Sequence, residues 1–163
     1  MLKIREIQKT DLPLIRKWRN HDRKWFYDQA IITEEMQNKW YEKYIADDSD
    51  ILFIAEAGDG NPIGMYGLTN IDHDMKTAEA GRLLIGEKQY TGMGLGVDMM
   101  RSVLEFAFKE LSLNEVHADV QAVNPRAIIV HVKAGYRIVG FQSDWMGNRV
   151  CFSIHQHLRI GAS

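Results

Sequence analysis

Gly92, Gly94 and Gly96 occupy alternate positions in QYTGMGLG, between an apolar run, AEAGRLLIG, and a long stretch of helical periodicity. Glycine loses more conformational freedom on folding than any other residue, so three in eight positions need a physical reason. The run before them reads as a strand. After them Met99, Met100, Val103, Leu104, Ala107, Phe108 and Leu111 recur at the spacing of one helix face. The chain must therefore contain a strand–loop–helix unit whose loop is kept clear of side chains. Such a loop can present successive backbone N–H groups to phosphate oxygens at a helix N-terminus, or it can be a plain flexible connector. A nucleoside-triphosphate loop is excluded, because Val97-Asp98 follow Gly96 where Lys-Ser/Thr is required. A dinucleotide fingerprint is weak, because the spacing is G-x-G-x-G and no βαβ unit precedes it.

The remaining elements follow from periodicity and punctuation. LKIREI starts a strand, and Thr10 or Asp11 caps a helix with Pro13 in its first turn. Thr33 caps a second helix, on which Met36, Trp40 and Tyr44 make one face. ILFIAEA, IGMYGLTNI and AEAGRLLIG form a meander, with turns at 58–62 and around His73-Asp74. NEVHADVQAV alternates as a strand, Asn124-Pro125 opens a helix that Gly135 closes, and YRIVGFQ and NRVCFSIHQ end the chain around Gly147-Asn148. The order is strand, two helices, three strands, helix, strand, helix, two strands. It predicts an α+β (mixed α/β) fold, with a central mixed sheet carrying helices on its faces. No linker or repeat divides the 163 residues, so residues 1–163 read as one domain.

Composition narrows the partners. A formal charge of -2 with scattered basic residues gives no nucleic-acid footprint. The N-terminus lacks the apolar core of a signal peptide and no run reaches membrane-spanning length, so a soluble cytoplasmic protein is expected. The one cysteine, Cys151, lies between Val150 and Phe152 and reads as a buried strand thiol rather than a nucleophile. His155-Gln156-His157 puts two rings on one strand face without further ligands, so no metal site is expected.

Gln89-x-x-Gly92-x-Gly94 is similar to the Q/R-x-x-G-x-G/A signature of the GNAT superfamily of acyl-CoA N-acyltransferases. The block Val123-Asn124-Pro125-Arg126-Ala127-Ile128, closing with Lys133-Ala134-Gly135-Tyr136, resembles that family's second motif, and the element order matches along nearly the whole chain. The resemblance implies a mostly antiparallel twisted sheet of about seven strands, flanked by about four helices, with a splay between the fourth and fifth strands. It also implies acetyl-CoA as donor. Backbone amides from Gln89 and from Thr91, Gly92, Met93, Gly94, Leu95 and Gly96 would bind the pyrophosphate. The edge of Leu83, Leu84 and Ile85 would pair with the pantetheine amides, as an added strand does. Asn124 would cap its helix and lie near the pantetheine arm. N–H groups near Leu84 and Ile85 would stabilise the developing oxyanion.

Acetyl transfer to an amine needs a neutral amine and a proton for the leaving thiolate. Glu79, on the strand before the donor edge, is the candidate base; its other reading is a surface glutamate. In the family pattern a tyrosine seven residues after the asparagine protonates the sulfur. Here that position is His131, which is either the acid or a packed residue, with Tyr136 or water as the other donors. The first helix carries W-R-N-H, which resembles a subset of the family acting on nucleotide-linked amino sugars. Arg19, Asn20, His21 and Trp25 are accordingly the candidate acceptor-binding residues, with helix packing as the competing reading. The other acceptor classes are a protein N-terminus, a polyamine drawn by the aspartates of 47–50 and 72–74, and a small amine. A non-catalytic acetyl-CoA-binding module is the reading from another class. The apolar last strands leave both a homodimer and a monomer open.

Overall fold

A computed structural model of the chain describes residues 2–156. The strands are β1 (Lys3–Glu6), β2 (Ile51–Glu56), β3 (Pro62–Asp72), β4 (Thr77–Ile85), β5 (Glu115–Gln121), β6 (Arg137–Asp144) and β7 (Gly147–His155). The helices are α1 (Leu12–His21), α2 (Glu34–Tyr44), α3 (Leu95–Lys109) and α4 (Pro125–Ala134). All seven strands join one sheet in the order β1-β2-β3-β4-β5-β7-β6. Every pair is antiparallel except β4 with β5, which are parallel because α3 carries the chain from one to the other. The mixed, mostly antiparallel sheet with four helices is the fold that the element order implies.

The sheet has a core on each face. On one face Met99, Met100, Val103, Leu104 and Ala107 of α3 are fully buried against Phe53, Tyr66, Ala78, Ala80, Val116 and Phe152. On the other, Ile15 and Trp18 of α1 pack on Leu52, Ile54, Met65 and Leu84. β2 is buried on both faces, which explains why ILFIAEA is continuously apolar instead of alternating. Trp18 lies flat against Gly86, where an added Cβ would come within 2.1 Å of the indole. Its Nε1 donates to Glu87 at 2.9 Å, so the tryptophan of W-R-N-H belongs to the core.

Local signals hold with two shifts. Thr33 caps α2 by accepting from the Met36 N–H at 3.2 Å, and Asn124 caps α4 by accepting from Ala127 at 3.1 Å. The start of α1 differs from the expected cap. The Asp11 carboxylate accepts from both terminal guanidinium nitrogens of Arg5, at 2.7 and 2.9 Å, and from the Gln8 N–H at 2.7 Å. It thus ties α1 to β1 instead of capping the helix. The final turn falls at Trp145-Met146, two residues early, and β6 runs on to Asp144. Gly147 at φ +97 supplies the left-handed residue that closes it.

Candidate active site

β4 meets β5 only through Thr77–Glu115, Ala78–Val116 and Glu79–His117. Beyond these pairs the strands part. A register shift in the pairing of β4 with β3 coincides with Arg82, a non-glycine residue at φ +60. From Ala80 onward β4 therefore has no strand neighbour on its β5 side, and Leu83–Ile85 form the open edge that a pantetheine arm can join.

The glycine loop opens at the same end. Gly92 (φ +85) and Gly94 (φ +81) are left-handed, and an added Cβ at either would point into open space. Gly96 is different: it is helical, and a Cβ there would touch Val130 at an ordinary 3.5 Å. The Thr91 N–H already donates to Lys88 at 3.0 Å, so it leaves the expected set of phosphate donors. Among the described residues, the N–H groups of Gly92, Met93, Gly94, Leu95 and Gly96 donate to no backbone carbonyl of the loop or its surroundings. A row of unsatisfied donors at a helix N-terminus fits a diphosphate. Gln89 is exposed beside this loop, and Asn124 is engaged as the α4 cap.

Glu79 is exposed, on the α1/α2 side of the sheet, in the last pair before the strands part. His131 is placed differently from the expected acid. Its ring is 4% exposed, stacked on Phe152 at 5.1 Å and edge-on to Tyr136 at 5.2 Å. Nδ1 lies 2.8 Å from the Ala127 carbonyl, which only an N–H can satisfy. Burial pushes its pKa down to about 4, the hydrogen bond to Ala127 offsetting part of that fall. The ring is neutral at pH 7 with its proton held on Nδ1, so Nε2 can only accept. This corrects the acid reading: His131 packs the core. Tyr136 is buried as well, with its hydroxyl 3.3 Å from that of Tyr66.

The acceptor candidates separate. Asn20 is engaged by the backbone of Ile32, donating to its carbonyl at 2.9 Å and accepting from its N–H at 2.8 Å. It clamps the loop after α1 and so leaves the binding set. His21 and Trp25 are exposed and line neither of the two principal clefts, and the Lys24 ammonium sits 4.9 Å from the Trp25 ring. Arg19 does line a cleft, of about 220 Å³, between α1, α2 and the sheet, with Arg82, Asp28 and Trp40. Its guanidinium lies over Phe26 at 3.8 Å, and burial holds its pKa below the usual arginine range. A wider cleft of about 630 Å³ is bounded by Tyr27, Asp28, Gln121, Trp145 and Asn148. Asp28 borders both.

Arg82 was not anticipated as a site residue. It reaches back across Gly67 to Asp50, donating at 3.1 and 2.5 Å. A lone arginine inside the apolar run AEAGRLLIG was the available signal. Among the described residues no group of three or more His, Cys, Asp or Glu gathers as a metal site, and His157 lies outside them. No helix among them is long and apolar enough to cross a membrane.

With this geometry in view, the comparisons with known proteins are specific. A spermidine N(1)-acetyltransferase of Vibrio cholerae is 25% identical over 138 residues, 83% of this chain and 78% of that protein. An SPbeta prophage-derived uncharacterised N-acetyltransferase of Bacillus subtilis is 33% identical over 98 residues, 60% of this chain and 54% of its own length. Among solved structures, Vibrio cholerae spermidine N-acetyltransferase in complex with CoA and spermine superposes with a TM-score of 0.89 at 21% identity, covering 98% of both chains. At that identity the superposition speaks for the fold. The model of the acetyltransferase (GNAT) domain matches residues 1–137, from β1 through the second motif. The chain therefore belongs to the GNAT family of acetyl-CoA-dependent N-acetyltransferases.

Proposed function

We propose that the acceptor is a small polyamine, acetylated on a primary amine. The observation that carries this reading is the spermidine N(1)-acetyltransferase relative, matched over 83% of this chain. It displaces the nucleotide-linked amino sugar, which rested on the W-R-N-H string. Trp18 is core, Asn20 clamps a loop, and Arg19 lies on Phe26. Exposed carboxylates on the acceptor side suit a polycation. Glu79 stands exposed where the strands part, and Asp28 borders both clefts. Asp119 and Asp144 are each already paired with Arg149.

In this reading the amide row of residues 92–96 and the β4 edge hold the donor, and the amine approaches from the α1/α2 side. One observation favours a second reading, an amine whose far end carries a phosphate or carboxylate. Arg19 and Arg82 both line the small cleft, and only Asp28 offsets the charge of Arg19, at longer range.

A thiol-release assay with acetyl-CoA decides between them, comparing spermidine, spermine, a nucleotide-linked amino sugar and short peptides with free N-termini. Spermidine and spermine are expected to give the highest kcat/KM. Turnover confined to the nucleotide-linked sugar would establish the second reading. Turnover of peptides alone would point to a protein N-terminus, and donor binding without turnover to a non-catalytic module.

A further inference from the structure

Converting an ammonium group and a thioester into an amide and a thiol releases one proton. The ammonium must first lose a proton to become a nucleophile. The C–N bond then forms as the C–S bond breaks, with the electron pair leaving on sulfur. The second nitrogen proton ends on that sulfur, so the first must reach solvent.

We propose that His117, opposite Glu79 at the point where β4 and β5 part, takes the first proton. Glu79 and His117 are a parallel pair, so both side chains lie on the α1/α2 face of the sheet, and no pair follows them. His117 is half-buried, its side chain 45% exposed. Its Nε2 lies 3.6 Å from one Glu115 oxygen. That carboxylate is fixed on its other oxygen by the Ser153 hydroxyl at 2.5 Å and by His155 Nε2 at 3.2 Å. The Glu115 carboxylate stands on the Nε2 side of the ring, so an imidazolium formed by proton capture at Nδ1 would face it. A base oriented by a carboxylate behind it is the general arrangement of an activated proton acceptor. The polar and titratable groups of the strands around it on this face are Glu79 on β4, Glu115 and Asp119 on β5, Arg149, Cys151, Ser153 and His155 on β7, and Arg137 on β6 opposite Ser153, with Arg19 and Arg82 in the cleft beneath α1 and α2. Arg149 holds Asp119 at 3.3 Å, which leaves Glu115 as the carboxylate within 4 Å of the imidazole among the described residues. From His117 the proton passes to solvent directly, or along Glu115 to His155, whose side chain is 48% exposed. Glu115 is a positioning residue.

The inference rests on the chain being an N-acetyltransferase and not on which amine it uses. The test measures kcat/KM for the amine between pH 6 and 10 in the parent, H117Q, H117N and E115Q, on each amine of the panel that turns over. At pH 7 the His117 variants are expected to lose roughly 100-fold, the ordinary scale of general-base catalysis. They should approach the parent toward pH 10, where the amine is increasingly neutral without help, and imidazole in the buffer should restore part of the loss. E115Q should lose less and keep its pH profile shape. CoA affinity should be unchanged throughout. His117 variants within twofold of the parent at every pH, or a loss that neither high pH nor imidazole recovers, would overturn the proposal. A parent inactive on spermidine but active on another amine would overturn only the polyamine reading. A parent that turns over no amine would overturn both.

Discussion

The burial of His131 makes a quantitative claim about acid sensitivity. In the unfolded chain the imidazole titrates near 6.5, and in the fold burial lowers it to about 4. As pH falls below 6.5 the unfolded state binds a proton that the native state refuses. This contribution to stability is therefore complete above about pH 6.5 and is lost as pH falls toward 4. Each tenfold difference in proton affinity is worth about 1.4 kcal/mol, so the whole effect is about 3 kcal/mol, of which about 2 is gone by pH 5. His131→Phe removes the titration while keeping an aromatic ring against Phe152. The Ala127 carbonyl remains inside α4, so the neutral-pH cost should stay within about 1 kcal/mol. Urea unfolding followed by tryptophan fluorescence at pH 7.5, 6 and 5 measures the difference. The parent is expected to lose about 2 kcal/mol more than the variant between pH 7.5 and 5. Asp11 and the other carboxylates are common to both proteins and cancel. Parallel pH curves would show that the imidazole is not buried and neutral. The same variant should keep kcat at neutral pH, and a hundredfold fall with CoA affinity intact would return His131 to the mechanism.

Two further outcomes test the loop and the first helix. Gly94→Ala places a Cβ at φ +81 and should cost about 1–2 kcal/mol, whereas Gly96→Ala lies in helical backbone with 3.5 Å of room and should be neutral or stabilising by about 0.5–1 kcal/mol in thermal melts. Equal destabilisation by the two would refute the distinction drawn between these glycines. Asp11→Asn removes the charge that pairs with Arg5. Hydrogen bonds from Arg5 and Gln8 hold the Asp11 pKa down against the opposing effect of burial, so its stability is present at neutral pH and lost as pH falls below the ordinary carboxylate range. Because Arg5 keeps Glu56 at 2.6 Å, the variant should be less stable than the parent at pH 7 by about 1.5–3 kcal/mol, the scale of hydrogen bonds to a charged group, and the gap should narrow toward pH 2.

Local chemistry determined much of this protein from sequence. Caps at Thr33 and Asn124, the left-handed Gly135 and the apolar period of α3 are decided by neighbours within one or two turns, and the sequence carries them intact. The glycine loop was legible for the same reason, since φ +85 and φ +81 select glycine with no help from the rest of the fold. The resemblance of QYTGMGLG and the Asn124 block extended that reading to the donor. Tertiary structure decided what each polar side chain is free to do. Trp18, Arg19 and Asn20 are consecutive, yet one packs on Gly86, one lines a cleft and one clamps Ile32, a distinction set by groups beyond the helix that carries them. His131 sits at the expected position of an acid and is neutral because Phe152 and Tyr136 enclose it. His117 had no local signal at all. It gained its place opposite Glu79 only when α3 brought residues 38 apart into parallel register and then let the strands separate, because hydrogen bonding fixes partners across a sheet that sequence distance does not reveal.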